Sequence, residues 1–508
     1  MVDLDGGPLS LEAVEAVARR GEQVRLAPES ARALVAGRRF VEGLAARATP
    51  IYGITTGVGK LKDVVIPPAE RAELQKNLVL SHAGGVGAPL AEEEVRAVML
   101  LLAASLARGA SGVRPAVVET LLACLNGRVH PVVPEQGSVG SSGDLVPLAH
   151  VALCLIGEGE AWLDGRRVPA REALAGAGLG ALALEAKEGL ALLNGTHLMT
   201  ALAALAVTDA LRLVRLADVA GAMSLEALMG TNAAFDERIH RLRPHPGQLA
   251  SAENLRRLTA DSGIIASHRD CTRVQDAYSL RCMPQVHGAA REALGFTRAV
   301  VLRELGSVTD NPLVFPADGA VLSGGNFHGE VLGLVLDTLA IGLAQLAGIA
   351  ERRVDRLVNP LTSEGLPPFL SPHGGRHSGY MLAQYVAAAL VAEAKTLAHP
   401  ASVDSIPTSG LQEDYNSMGA GAALKLRRAL GLVRQVLAIE LVLAAQALDL
   451  RAPLEPGRGS GAARAAVRAR VAPLGGDRYL KADLDAARVL AEDGSVLAAV
   501  EARIGPLA

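Results

Sequence analysis

The chain is short of several things, and each shortage removes a class of protein. Aromatic residues make up only 3% of its 508 residues, with a single tryptophan. Ala and Leu must therefore fill much of the interior, which favours closely packed helices. There are four cysteines, Cys124, Cys154, Cys271 and Cys282, and no Cys-x-x-Cys spacing. That pattern reads as free thiols in a cytoplasmic protein rather than a disulfide framework. An excess of one charge is missing: 50 basic residues face 53 acidic ones, a net charge of −3, so nothing marks a nucleic-acid surface. The one basic stretch, Arg458, Arg464, Arg468 and Arg470, reads as a solvated helix face. The N-terminus, Met1-Val2-Asp3-Leu4-Asp5, lacks the basic and apolar regions of a secretory signal. Unbroken apolar runs are also missing. A membrane span needs about 18 or more apolar residues, but 331–350 contains Asp337 and Gln345, and 432–450 contains Arg434, Gln435, Glu440, Gln446 and Asp449. No internal repeat of solenoid length is visible.

What is present is apolar material in quantity. Half of the residues are hydrophobic, and the mean hydropathy is +0.27. With membrane spans set aside, a large subunit interface is the better account of that excess. The length exceeds one ordinary core and suggests two or three domains or one long helical unit. Apolar residues recur at i, i+3, i+4 and i+7 over 195–230, 286–306, 328–358, 377–397 and 418–450, the signature of long amphipathic helices. Shorter helical patterns cover 10–19, 30–46, 67–80 and 92–108, and Pro28-Glu29-Ser30 is a plausible helix start. A hairpin of 161–163 with 167–168, around Asp164-Gly165, is among the few strands expected. The fold class is mainly α: an N-terminal globular domain over 1–110, then an extended helical domain over 111–508 with a long central bundle.

Two glycine-rich loops interrupt the helices. The first, 51–60, invites a phosphate-binding reading, but Gly59-Lys60 would require Gly at 54 and Ser or Thr at 61. Those positions hold Ile54 and Leu61, so the motif fails. The second runs Gly137-Ser138-Val139-Gly140-Ser141-Ser142-Gly143-Asp144-Leu145-Val146-Pro147. Ser-Ser-Gly alone reads as a flexible loop, with Asp144 capping the helix that follows and Pro147 in its first turn.

Taken whole, the second loop resembles the signature of the aromatic amino acid ammonia-lyase and aminomutase family. In that family a small residue, Ser and Gly cyclise to 4-methylidene-imidazol-5-one (MIO), with no external cofactor. Here these would be Ser141, Ser142 and Gly143, with Ser141 in place of the usual Ala. The nitrogen of Gly143 would fold back onto the carbonyl carbon of Ser141, a close approach that glycine permits. Ser142 would lose its hydroxyl as water. The resemblance extends over nearly the whole chain. Tyr52-Gly53 with Thr55-Thr56-Gly57-Val58-Gly59 is similar to the family's tyrosine loop. Asn194-Gly195-Thr196, Thr309-Asp310-Asn311-Pro312-Leu313, Gly325-Asn326-Phe327-His328-Gly329 and Gln412-Glu413-Asp414 match further motifs. So does Gln275-Asp276-Ala277-Tyr278-Ser279-Leu280-Arg281-Cys282, with Ala277 in place of Pro.

The resemblance implies roles. A strong electrophile at Ser142 answers the poor leaving ability of an amine by bonding the substrate nitrogen. Tyr52 would take the β-proton, which needs surroundings that deprotonate it. Arg281 would grip the substrate carboxylate with two hydrogen bonds. Asn194 and Tyr278 would donate to the MIO carbonyl. Gln275 and Phe327 would shape the pocket. His328 and His287 lack metal-ligand spacing and read as structural, and no metal is expected. The family also implies a cytoplasmic homotetramer whose sites combine residues from several subunits, acting on a small amino acid, with neither nucleic acid nor membrane as partner.

Two positions bear on the substrate. Ser81-His82 resembles the histidine-acting members, and so does Glu413, whose carboxylate suits an imidazole N–H and would be stranded against a phenyl ring. Tyr415-Asn416 stands where histidine-acting members usually have His-Val, and Asn416 resembles the phenylalanine-acting ones. Met283 and His287 also depart from the histidine pattern. The expectation is elimination of ammonia from L-histidine to give trans-urocanate. A phenylalanine or tyrosine lyase, an aromatic 2,3-aminomutase and a non-catalytic helical scaffold are the alternatives.

Overall fold

A computed structural model of the chain describes residues 1–47 and 49–508. Helices dominate it, as the Ala/Leu-rich composition requires. The five long patterns become His197–Ala227, Met283–Glu304, Glu330–Val358, Met381–Leu397 and Gly419–Asp449. The shorter ones become Leu11–Arg20, Pro28–Ala45, Arg71–His82 and Glu92–Leu106. Pro28 occupies the first turn of its helix, where its missing N–H and fixed φ do no harm. The hairpin pairs Glu160–Leu163 with Arg166–Pro169, and His130–Pro131 adds a third strand beside the first. Among the described residues there are also three two-stranded pairings: Val2–Leu4 with Val24–Leu26, Val86–Pro89 with Pro134–Gln136, and Leu313–Phe315 with Ala320–Leu322.

The chain forms two compact units, each discontinuous in sequence. The first comprises Met1–Thr208, Arg298–Asp337 and Pro400–Leu424; the second comprises Asp209–Thr297, Thr338–His399 and Lys425–Ala508. Residues 1–110 fall wholly inside the first unit. That unit also takes in 111–208 and two later segments, because Arg71–His82 packs against Leu145–Leu155 and Glu188–Leu193. In the second unit, Arg458–Arg468 packs on Pro246–Leu258 and Ser495–Ile504. The basic stretch is spent internally: Arg458, Arg464, Arg468 and Arg470 all reach carboxylates, at Asp261, Glu455, Asp449 and Asp493 respectively.

One expectation needs correcting. Polar interruptions exclude 331–350 and 432–450 as spans in the sequence reading, yet the helices that hold them, Glu330–Val358 and Gly419–Asp449, and also His197–Ala227, are long and apolar enough by length and composition. Mean hydropathy over a window tolerates isolated charges. Two of those charges are buried and bonded: Asp337 accepts from Ser402 N at 2.8 Å, and Glu440 holds Arg353 with two hydrogen bonds of 2.6 and 2.9 Å. The apolar windows are 78%, 61% and 78% buried in the chain itself.

Candidate active site

The tyrosine loop is fixed from below. Ile54 is fully buried among Val41, Leu44 and Val314. Thr55 accepts from Ile51 N at 2.7 Å and donates to Thr49 O at 2.9 Å. Gly53 has φ +63°, and a Cβ there would lie 2.2 Å from a methyl of Leu190, so the loop seats closely on the helix Glu188–Leu193. The phenol of Tyr52 accepts a hydrogen bond from Gly59 N at 3.1 Å. Burial pushes the Tyr52 pKa above its usual value near 10; the N–H of Gly59 opposes this, while the negative charges of Glu413 and Asp310 add to it.

The 137–144 loop is held on all sides. Gly143 has φ +68°, and a Cβ would lie 2.1 Å from Gly195 O. Asp144 N donates to that same oxygen at 2.8 Å. Gly140 O accepts from Gly329 N at 2.9 Å and Ser417 Oγ at 2.6 Å. Ser141 Oγ accepts from Ser417 N at 2.7 Å, so the serine that replaces Ala has a partner for its hydroxyl. Asp144 does not cap its own helix through its side chain. Its carboxylate takes Ser138 Oγ at 2.9 Å and, from the start of His197–Ala227, Met199 N at 3.0 Å. Full burial pushes its pKa up to about 6 against those hydrogen bonds.

Ser142 opens into a cavity of about 960 Å³. Tyr52, Ser81, His82, Ser141, Asn194, Phe327 and Glu413 line the same cavity, so seven expected residues meet Ser142 there. Glu413 reaches across it. One carboxylate oxygen accepts from Ser142 Oγ at 3.1 Å and the other from Thr408 Oγ1 at 2.8 Å. Ser81 Oγ and His82 Nδ1 lie 3.1 Å apart. The amide of Asn194 is engaged within the protein: its Nδ2 donates to Asp310 Oδ1 at 3.3 Å and Asn311 O at 3.2 Å. Its Oδ1, buried, has no partner among the described residues.

Gln275, Tyr278 and Arg281 are not among the residues lining this cavity. They belong to the second unit. Gln275 and Tyr278 are exposed and Arg281 is half-buried, with its guanidinium 4.7 Å from the centre of the Tyr278 ring. Gln275 lines a separate hollow of about 690 Å³ within that unit, together with His268, Arg269 and Cys271.

Residues 9–469 match the aromatic amino acid lyase family. The chain belongs to that family. It is 54% identical over 510 residues to a histidine ammonia-lyase of Sorangium cellulosum (strain So ce56), covering 99% of both proteins. Among solved structures it is similar to the histidine ammonia-lyase of Trypanosoma cruzi, with 41% identity and a TM-score of 0.92, over 99% of this chain and 95% of that one. It is also similar to the tyrosine aminomutase of Streptomyces globisporus, with 40% identity and a TM-score of 0.94, over 99% and 98%.

Several cavity residues of this family member escaped the sequence reading. Leu74, Asn77 and Leu78 line it beside Ser81 and His82; their spacing along Arg71–His82 is that of one helix face, a signal that was available. His328, read as structural, also lines the cavity. Its ring stacks on Tyr415 and its Nε2 meets Tyr415 O at 3.0 Å. His287 is buried against Asp218 at 2.7 Å. Asn416, which pointed toward the phenylalanine-acting members, does not line the cavity. It is buried, and its Nδ2 donates to Ile406 O at 2.5 Å, so it ties the 405–416 loop together.

Proposed function

We propose that the chain eliminates ammonia from L-histidine, giving trans-urocanate, with an MIO group made from Ser141, Ser142 and Gly143. The observation that carries the substrate is Glu413. A carboxylate set across the cavity from Ser142, with Ser81 and His82 on the same walls, suits a ring with an N–H to give. A phenyl ring would offer no hydrogen bond to the oxygen that faces Ser142, leaving the carboxylate Thr408 alone as partner. The close relatives named as histidine ammonia-lyases support the same choice.

The residues fit the group. A Cβ at 143 would collide with Gly195 O, so the loop is built for glycine at the ring-closing position, and Ser142 faces open space while its neighbours are held. When formed, the group supplies an electrophilic carbon that takes the substrate nitrogen and makes it able to leave. Tyr52 removes the β-proton. Burial and the charges of Glu413 and Asp310 oppose its ionisation, so the transfer gains from any cation that the completed site brings near. Arg281 binds the substrate carboxylate, Tyr278 donates to the ring carbonyl, and Gln275 and Phe327 shape the pocket. Tyr278 and Arg281, which belong to the second unit, act in a cytoplasmic homotetramer whose sites, as the family resemblance implies, combine residues from more than one subunit.

Purified protein given histidine, phenylalanine and tyrosine separately should release ammonia and the unsaturated acid from histidine in strong preference. A hydrogen-bonding site can reject an analogue lacking the group by about 10⁴- to 10⁵-fold. A β-amino acid product in place of urocanate would favour the aminomutase reading, which the likeness to the tyrosine aminomutase keeps in view. Release mainly from phenylalanine or tyrosine would overturn the histidine reading.

A further inference from the structure

Behind Asn194 lies a buried ion pair that none of the proposed roles uses. Lys187 is fully buried, and its Nζ lies 2.6 Å from Asp310 Oδ2; Asp310 is 3% exposed. The other oxygen of Asp310 accepts from Asn194 Nδ2 at 3.3 Å and from Asn311 N at 2.6 Å. The second N–H of Asn194 goes to Asn311 O at 3.2 Å. Asn311 is held in turn by Gly324 N, which donates to its Oδ1 at 2.9 Å. Asn194, Asn311 and Gly324 all line the cavity of Ser142.

Two features make the pair costly. A buried ion pair gives up the hydration of both ions, and well-packed apolar residues often serve stability as well or better. Lys187 also adopts φ +76°, a backbone conformation that a residue with a Cβ takes only when its surroundings impose it. Its consequence for Asn194 is definite. The carboxylate of Asp310, paired with Lys187, and the carbonyl of Asn311 are both acceptors, so the carboxamide must turn both N–H groups toward them. The reverse orientation would set Oδ1 against a carboxylate. The one hydrogen-bonding atom left over is Oδ1, which is buried and unpartnered among the described residues.

We propose that Lys187 is a positioning residue: by pairing with Asp310 and holding it in place, it commits the Asn194 carboxamide to the protein through its N–H groups and leaves Oδ1 as an acceptor for an N–H of the substrate amine. This reverses the donor role expected for Asn194, and it rests on the ammonia-lyase reading above. The titratable groups that feel the charge of Asp310 are Lys187, His197 and Tyr52.

The test is a double-mutant cycle on the intact protein, Lys187→Met and Asn194→Ala, with kcat and KM for histidine, the thermal midpoint, and the mass of the peptide holding Ser142. Lys187→Met should lower kcat on the order of 10²-fold, the scale of a lost orientation, with little change in KM. The Ser142 peptide should stay two waters lighter than its sequence. In the Asn194→Ala background the same change should have almost no further effect, since it acts through Asn194. Lys187→Arg should restore much of the loss.

Should Lys187→Met fold poorly, Lys187→Met with Asp310→Asn removes both charges at similar volume. That pair should recover the thermal midpoint without recovering kcat. Equal recovery of both, or additive losses in the cycle, would overturn the proposal. Wild-type protein that releases no ammonia from histidine while carrying the lighter peptide would instead count against the substrate reading.

Discussion

At the residue scale, Glu413 carries the most decidable chemistry. Its two oxygens are spent on Ser142 and Thr408, and maturation of Ser142 would remove the first partner and leave that oxygen free for a ring N–H. A hydrogen bond to a charged group contributes roughly 1.5 to 3 kcal/mol, so Glu413→Gln should lower kcat/KM for histidine by about 10- to 100-fold. Residual turnover of phenylalanine should change far less. An equal loss on both substrates would show that Glu413 serves the chemistry or the fold rather than ring selection. Ser142 has its own check: the peptide that contains it should be two waters lighter, and Ser142→Ala should keep the fold and nearly abolish turnover. Most of these residues were legible because motifs name residue types independently of where the chain goes. What motifs could not reveal was company. Asn416 sat next to specificity residues in sequence and yet points its amide into a loop, and His328 had no spacing to betray it and yet stacks on Tyr415 at the cavity wall.

At the scale of elements, the long helices follow their apolar period closely, because a repeat sustained over about 30 residues leaves no other way to bury one face. The pairings of two to four residues left no such trace; Val2–Leu4 and His130–Pro131 are too short for alternation to show. Nor could the pattern disclose which polar residues the helices enclose. In the second unit Asp218 is fully buried and accepts from Ser251 Oγ at 2.6 Å, Asn254 Nδ2 at 2.9 Å and Arg291 Nη2 at 2.7 Å, and it meets His287 Nδ1 at 2.7 Å. Burial alone would raise its pKa; Arg291, His287 and Ser251 outweigh burial and hold it at about 2, below the ordinary 3.8. The folded state therefore binds fewer protons than the unfolded state between these values. The stability due to this group is present above about pH 4 and lost as pH falls toward 2, an amount on the order of 2 kcal/mol. Asp218→Asn should lower the thermal midpoint at neutral pH, and the gap from wild type should narrow on acidification through that window. A constant gap at every pH would mean that ionisation of Asp218 contributes nothing.

At the scale of the whole molecule, a motif reading delivers all site residues at once, although they divide between the two units. Tyr52, Ser142 and Glu413 share a cavity in the first unit, while Tyr278 and Arg281 belong to the second, with Tyr278 71% exposed. Sequence carries no sign of which copy supplies a residue, since the same string serves every subunit. If the site draws on more than one subunit, two inactive variants with defects on different contributions should repair each other. Tyr52→Phe and Arg281→Ala should each be nearly inactive alone, the second because the substrate carboxylate loses its planar cationic partner. Produced together in one cell, they would assemble into mixed oligomers. Some sites would then draw Tyr52 from an Arg281→Ala chain and Arg281 from a Tyr52→Phe chain, and would be whole. Activity should reappear in the mixed preparation, at a fraction of wild type set by random assembly, and the active species should run at the mass of four chains. Mixing the separately purified variants without subunit exchange should give none. If co-production restores nothing while mixed oligomers demonstrably form, each chain must complete its own site, and the division of the catalytic residues between the two units would have to close within a single copy.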